Sequence, residues 1–348
     1  MANIGIVGTG WGTRVQVPTF REAGLNVVAI AGHRPERTRQ TASELDVRSH
    51  DDWREVVSSP DVDLISIVTP PSEHREMALA ALEAGKHVLL EKPTALNARE
   101  AEELAASAKQ HPDRMTLIDH ELRFLPSWRE ARRRIGELGA FRYAEVRYSS
   151  PARGDRKREW NWWSDATRGG GIWGAVGSHF VDALRYFGVE FEEALAMMRT
   201  TIGERPSGDG MRAVTADDFA CVNLRTRDGA VAVMTFSAVS TGPDESSMLT
   251  IHHEGGAMRF IGEAVLLSTG GNPFTAIAGG KMETRPGNSH GGAFGTGTLH
   301  LGHALRAALD EGQHDALSPA ATFEDGLMQQ RVLDAARASA ANGRWVRI

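Results

Sequence analysis

Two side chains in this sequence are equipped for proton chemistry. Lys92 follows the apolar run His87 to Leu90, within Glu91-Lys92-Pro93-Thr94. An amine at the carboxyl end of a strand, fixed by the proline after it, can polarise an oxygen or shift a proton. His179 lies in Gly169-Gly170-Gly171-Ile172-Trp173-Gly174-Ala175-Val176-Gly177-Ser178-His179-Phe180-Val181-Asp182, where a glycine-rich loop runs into a helix-like stretch. Its imidazole titrates near neutrality and suits a general base. Three successive glycines provide backbone that can take positive φ and let a ligand come close. With a helix starting near Trp173, Ala175, His179 and Asp182 fall at i, i+4 and i+7 on one face. Val176, Phe180, Leu184 and Phe187 form an adjoining apolar stripe that packs the helix down and leaves His179 facing a cavity. Asp182 can orient the His179 ring or pair with Arg185.

A reaction partner for Lys92 is suggested by the N-terminus. Ile4 to Val7 is a short apolar run, Gly8-Thr9-Gly10-Trp11-Gly12 a tight turn, and Thr13 to Ala23 a helix-compatible stretch despite Pro18. In such a unit the first glycine makes the turn and the second lets backbone reach a pyrophosphate at the helix N-terminus. The third small residue of GxGxxG falls at Thr13, with Gly12 one place early. Gly8, Thr9, Gly10, Trp11, Gly12 and Thr13 are therefore candidate dinucleotide-binding residues. About 20 residues on, where an acid would take the ribose hydroxyls of NAD, stands Gly32, followed by His33, Arg34, Pro35, Glu36 and Arg37. A small residue beside His33, Arg34 and Arg37 suits a 2′-phosphate, so NADP(H) is expected over NAD(H). A solvated basic turn is the alternative.

The elements that must position these residues follow from periodicity. Strand-like runs recur at Val27 to Ala31, Leu64 to Val68, His87 to Leu90 and Met115 to Ile118, separated by helix-like segments at Pro35 to Leu45, Ser72 to Ala84 and Asn97 to Gln110. This βα alternation predicts a parallel, doubly wound sheet with ligand at the carboxyl ends of its strands. After Ile118 the pattern changes. A helix runs from Pro126 to near Gly139, and Phe141 to Ser149 alternates like a strand. Hairpin signals at Arg227-Asp228-Gly229 and Glu254-Gly255-Gly256 join Phe219 to Leu224 with Ala230 to Ala238, and Met248 to His253 with Ala257 to Ile261. The expected fold is an α/β Rossmann domain over residues 1–120, then an α+β domain over 121–348 with a large, mainly antiparallel sheet. Gly270 to Gly297 reads as a long loop and Phe323 to Ala340 as an alanine-rich helix.

Composition narrows the partners. The 348 residues are 41% hydrophobic and 24% charged, with a formal net charge of -6, enough for about two full cores and unsuited to drawing in nucleic acid or an anionic membrane. One cysteine, Cys221, excludes an internal disulfide framework and any CxxC metal site; HExxH, GxSxG and P-loop motifs are absent too. His252 and His253 are neighbours on a strand and point to opposite faces, so they do not chelate together. The start, Met1-Ala2-Asn3-Ile4, enters a strand without a signal core, and a cytoplasmic protein is expected. Trp160-Asn161-Trp162-Trp163 puts three of eight tryptophans in one loop, where Trp162 and Trp163 can stack on a sugar ring or nicotinamide, or plug the loop. Arg168, beside Gly169, is a candidate for holding an anionic substituent.

The glycine loop, Thr69-Pro70-Pro71-Ser72-Glu73-His74, Glu91-Lys92-Pro93 and the Gly169 stretch, taken in this order, resemble the Gfo/Idh/MocA family of oxidoreductases. The resemblance runs from Ile4 through Asp182 and resumes in the C-terminal helix. It implies a nicotinamide cofactor lined by Thr69, Pro70 and Glu91, with His74 touching the cofactor or capping and packing. It implies that Lys92 reaches the reacting hydroxyl and nicotinamide, that His179 takes the hydroxyl proton, and that the Arg123-Phe124 pair, with Arg123 toward substrate, lies between the domains. It further implies a sugar, polyol or inositol-like substrate, a helix over 323–340 returning to the first domain, and a homodimer or homotetramer paired through the free face of the second sheet. The family carries an aspartate four residues before this histidine; here the residue is Ala175. Two alternatives stay open: a redox-neutral, NAD-dependent glycosidase or epimerase, and a non-catalytic dinucleotide-binding regulator.

Overall fold

The computed structural model describes residues 1–242, 245–277 and 292–348. They divide into two compact units. One holds residues 1–95, 99–125 and, of the later described residues, 292–327; the other holds 96–98, the described residues of 126–277, and 328–348. Periodicity changes once, near Ile118, but Glu121 to Leu125 and the segment from Gly292 to Leu327 belong with the first unit.

The first unit is built on β1 (Asn3–Val7), α1 (Val17–Glu22), β2 (Asn26–Ala31), α2 (Pro35–Leu45), β3 (Arg48–His50), α3 (Trp53–Ser58), β4 (Leu64–Ile67), α4 (Pro71–Glu83), β5 (His87–Leu90), α5 (Ala98–Gln110) and β6 (Thr116–Ile118). These strands all pair in parallel. Every residue of β4 is buried, as a strand covered on both faces requires. One face packs Ile65, Ile67, Val88 and Leu90 against Met77, Leu82 and Leu104; the other packs Ile4, Ile6, Leu64 and Leu89 against Phe20 and Leu305. Both strand and helix registers were legible from apolar spacing, α2 and β5 to the residue. The short β3 and α3 were not, because neither repeats a pattern long enough to show a period.

The second unit contains α6 (Pro126–Arg134), β7 (Phe141–Ser149), α7 (Ser178–Tyr186), β8 (Glu193–Arg199), β9 (Glu204–Ser207), β10 (Gly210–Ala213), β11 (Phe219–Arg225), β12 (Val231–Ser237), β13 (Ser246–His253), β14 (Gly256–Ile261), β15 (Ala264–Thr269) and β16 (Thr275–Ala276). Beyond them come α8 (Gly292–Glu311), β17 (Ala321–Thr322), α9 (Phe323–Asn342) and β18 (Val346–Arg347). The nine-stranded sheet runs β16-β15-β14-β13-β7-β12-β11-β8-β18. It is antiparallel except where β7 pairs in parallel with β12, so β7 is inserted between two later hairpins and the sheet is not a simple meander. Trp128 of α6 packs on Phe187 and Phe260, and Phe180 of α7 on Phe236, which covers one face. Met197, Val233 and Tyr143 are exposed on the other.

β17 extends the parallel sheet as an antiparallel edge beside β6, giving the order β17-β6-β5-β4-β1-β2-β3. In α9, Phe323 and Leu327 join the core of the first unit, and residues from Met328 onward belong to the second. Of the loop expected from Gly270 to Gly297, 278–291 lies outside the described residues. Thr275–Ala276 pairs with β15, and α8 already begins at Gly292, with Gly297 and Gly302 packing closely. A Cβ on Gly297 would come within 2.5 Å of the Glu121 carbonyl.

Candidate active site

In the first unit the strand order reverses between β1 and β4, and the loops after these strands diverge there, which makes the crevice where doubly wound sheets take ligands. The glycine loop follows β1. Gly8 has φ +124°, and any Cβ on it would overlap the Val68 carbonyl. Its N–H donates to Ala31 O at 2.8 Å. Gly12 packs against Ile6, where a Cβ would approach Cγ2 at 2.7 Å. Gly10, between them, has nothing within 4 Å of a Cβ position. Two glycines are thus closed in by protein while the middle one faces open space, the arrangement a pyrophosphate needs to reach backbone. The offset at Gly12 has a structural cause. Gly12–Gln16 is a π turn leading into α1, wider than the α-helix expected from Thr13. Thr13 is buried, with its hydroxyl donating to Thr9 O; Trp11 is half-buried with its ring edge-on to Phe294.

At the end of β2, Gly32 is crowded: a Cβ would lie 2.7 Å from Thr9 Cγ2 and 2.9 Å from Thr38 Oγ1. Thr9 and Thr38 thus fill the place from which a β2 acid would reach a ribose. His33, Arg34 and Arg37 are exposed. His33 Nε2 lies 2.8 Å from Glu73 Oε2 in the first turn of α4, a partner that sequence distance concealed.

β5 and β6 end side by side, and the residues that follow them bring ionisable side chains together. Leu90 pairs with Ile118, so Glu91 and Asp119 emerge together, with Asp119 N–H on Leu90 O at 2.8 Å. Their carboxyls are neighbours, and Asp119 Oδ1 is buried without an N–H donor. Burial, then the Asp119 charge, pushes Glu91 up to about 8, against the pull of Lys92. Burial pushes Asp119 up to about 6, with a hydrogen bond from Gln16 opposing it. Glu121, 3% exposed, is also raised, by burial and then by Asp119 and Glu91. Lys92 is half-buried, and its backbone N–H donates to Glu91 Oε2 at 3.2 Å. The Lys92–Pro93 peptide is cis.

Thr69 and Pro70 follow β4, with the Thr69 hydroxyl on Met77 Sδ. His74 is 1% exposed and joins two motifs: Nε2 lies 2.9 Å from Thr69 O and Nδ1 3.1 Å from Pro93 O. Burial lowers its pKa, so one ring nitrogen donates while the imidazole stays neutral at pH 7. Both of its polar atoms are directed at backbone. Arg123 is 5% exposed, 3.6 Å from Asp325 and 3.5 Å from Pro319 O.

In the second unit the glycine stretch is closed in by its own chain. Gly169 and Gly171 have φ of +82° and +110°. A Cβ on Gly170 would meet Trp163 O at 2.5 Å, and one on Gly171 would overlap Asp217 Oδ1. What approaches these glycines is the tryptophan loop and Asp217, where the sequence suggested a ligand. Asp217 accepts the Trp173 N–H at 2.8 Å, and burial, offset by that bond, raises its pKa. Trp173–Gly177 is a π turn and α7 starts only at Ser178. The α-helical spacing from Ala175 to His179 therefore does not hold, whereas His179 and Asp182 both lie within α7, three residues apart. Ala175, His179 and Asp182 are all buried, His179 at 6% exposure. Arg185 pairs with Glu190. Arg153 stacks over Trp163 at 4.0 Å and Arg212 over Trp160 at 3.4 Å, which occupies one face of each ring. Trp162 is tilted against Trp163, and Arg168 is half-buried.

Gln16, Ser66, Asp119, Glu121 and Asp217 stand in no recognisable motif. Ser66 carries a signal, as a polar residue in the apolar run Leu64 to Val68; it and Gln16 are fully buried. Among the described residues, no helix is long and apolar enough to cross a membrane.

Residues 2–118 match the oxidoreductase family with NAD-binding Rossmann fold, and residues 128–259 match the Gfo/Idh/MocA C-terminal domain. An uncharacterised oxidoreductase of Synechocystis is 30% identical over 262 residues, 73% of this chain and 70% of that protein. The human glucose-fructose oxidoreductase domain-containing protein 2 is 28% identical over 366 residues, 99% of this chain and 93% of that one. Among solved structures, levoglucosan dehydrogenase in complex with NADH and levoglucosan superposes with a TM-score of 0.87 at 23% identity, covering 100% of this chain and 99% of that one. An oxidoreductase domain protein from Kribbella flavida gives 0.87 at 26% identity, with both chains covered in full. The chain belongs to the Gfo/Idh/MocA family of NAD-binding oxidoreductases.

Proposed function

We propose that this protein is an NAD(P)-dependent dehydrogenase or reductase acting on a CH–OH group of a sugar, polyol or inositol-like substrate, with NADP(H) preferred. The observation that carries the proposal is the pairing, within one unit, of an open Gly10 between two packed glycines with a half-buried Lys92 at the end of β5. The first accepts a dinucleotide's pyrophosphate; the second supplies an amine for an oxygen whose charge changes. A bound nicotinamide would accept or deliver the hydride. The loop from Gly8 to Thr13 would hold the pyrophosphate, Thr69 and Pro70 would line the same crevice, and His33, Arg34 and Arg37 would face a 2′-phosphate. Lys92 Nζ would donate to the substrate oxygen, and an imidazole nitrogen of His179 would take the hydroxyl proton, with Asp182 orienting the ring. Arg123, Trp162, Trp163 and Arg168 are the proposed substrate contacts.

The sugar assignment draws on levoglucosan dehydrogenase and on the aldose-aldose oxidoreductase of Caulobacter crescentus, which superposes with a TM-score of 0.78. A homodimer or homotetramer would cover the exposed Met197, Val233 and Tyr143. One feature favours a second reading, a dinucleotide-binding regulator: Ala175 leaves no carboxyl four residues before His179. Dinucleotide oxidation and reduction by the purified protein across a panel of sugars and inositols separates the two, since only the enzyme turns over.

A further inference from the structure

We propose that Glu91 and Asp119 form a proton-sharing pair that presents one negative charge to Lys92 in place of two, which makes them positioning residues for its amine. The existence of the pair stands on the first unit alone; its role rests on the reading of Lys92 given above.

Topology creates the pair. The parallel neighbours β5 and β6 end at Leu90 and Ile118, Asp119 N–H bonds Leu90 O at 2.8 Å, and the carboxyls of the two following residues are neighbours, with Asp119 Oδ1 buried and receiving no N–H donor. Asp119 is buried and Glu91 half-buried, and two neighbouring carboxylates largely withdrawn from water do not both ionise, so one proton is retained between them. Asp119 is 1% exposed.

The surrounding amide decides which carboxyl keeps the proton. Ser66 Oγ donates to Gln16 Oε1 at 2.7 Å, which fixes the orientation of the Gln16 side chain. Its Nε2 then donates to Asp119 Oδ2 at 2.8 Å. Asp119 therefore receives a donor that suits a carboxylate, while Glu91 holds the proton and directs it at Asp119. Charged groups facing the pair are Lys92, which favours ionisation, and the buried carboxyl of Glu121, which opposes it. Gln16 and Ser66 are neutral. His74 has both ring nitrogens on backbone carbonyls, of Pro93 and Thr69.

The test is infrared difference spectroscopy of the full-length protein, wild type minus Glu91→Gln. At neutral pH it should show a protonated-carboxyl C=O band that disappears as pH rises past about 8. Asp119→Asn should move the disappearance of the band to lower pH, because Glu91 then loses its negative neighbour while its burial remains; Lys92→Met should preserve it. Glu121→Gln removes the separate contribution of Glu121. Should a variant fail to fold, side-chain carboxyl carbon-13 NMR of the wild type reads the same titration, with a Glu91 carboxyl ionising well above the ordinary range. In an active protein, Asp119→Asn and Glu91→Gln should shift the pH profile of kcat, which a purely structural role would leave in place. Absence of the band from the wild-type difference at neutral pH, or a band whose titration is the same in Asp119→Asn as in the wild type, overturns the pair. A band without any turnover contradicts the dehydrogenase reading and leaves the pair standing; turnover without the band does the reverse.

Discussion

Gln16 Nε2 donates a 2.8 Å hydrogen bond to Asp119 Oδ2, tying the turn after the glycine loop to the end of β6 across 103 residues of sequence. Both side chains are buried, and Ser66 holds the other end of the amide. Gln16→Ala leaves the Asp119 carboxylate and the Ser66 hydroxyl without this partner. The expected cost is about 1–3 kcal/mol of stability, since a buried acceptor loses its donor. Urea unfolding of the two proteins measures it; a change below about 0.5 kcal/mol would show that water replaces the amide without loss.

The raised carboxyls make stability depend on pH in a defined direction. Glu91 titrates near 4.5 when unfolded and at about 8 when folded. The unfolded chain releases this proton first, so as pH rises from about 4.5 to about 8 the folded state is progressively disfavoured. Below that window both states are protonated and the penalty vanishes. Glu91→Gln removes it, so the melting temperature of this variant relative to wild type should rise between pH 5 and pH 8. A difference that is flat with pH would contradict the shift.

The two glycine clusters should respond differently to one added methyl. Gly171→Ala forces an L-residue into φ +110° and into Asp217, at a cost above the roughly 1–2 kcal/mol of left-handed backbone alone. Gly10→Ala meets nothing within 4 Å. Its stability should stay within about 0.5 kcal/mol of wild type, while its dinucleotide Kd rises by about tenfold or more, equivalent to about 1.4 kcal/mol. Calorimetry and fluorescence titration read the two effects separately.

Cofactor preference is tested by the dissociation constants of NADPH and NADH. The expectation is tighter NADPH binding, weakened about tenfold by Arg34→Ala as a charge-assisted contact is lost, with NADH little changed. Tighter NADH binding in the wild type would reverse the assignment and turn attention to Glu73, which lies 2.8 Å from His33.

Much of the first unit is legible because its longer strands are mostly apolar runs and each long helix carries its own period, as in Leu64–Ile67 and Pro35–Leu45. The glycine loop was legible for the same local reason. The π turns at Gly12–Gln16 and Trp173–Gly177 were not, because a single wide turn leaves no repeat in the sequence; that is why Ala175 was placed on the His179 face by α-helical spacing. The glycines at 169–171 were read as room for a ligand because the residues that fill that room, Trp163 and Asp217, are fixed by tertiary packing. The Glu91–Asp119 contact arises from strand adjacency and the His33–Glu73 contact from α4 docking, and neither is a feature of spacing.

On the proposed reading, Lys92 acts chemically beside a dinucleotide held by the glycine loop. It is tested most directly by steady-state turnover of NADP⁺ and NAD⁺ with a panel of sugars, polyols and inositols, comparing wild type with Lys92→Met at equal dinucleotide saturation. The expected result is turnover by the wild type that falls by about 10²-fold or more in the variant, with dinucleotide binding retained. Tight dinucleotide binding with no turnover on any member of the panel, or equal turnover by the two proteins, would contradict it.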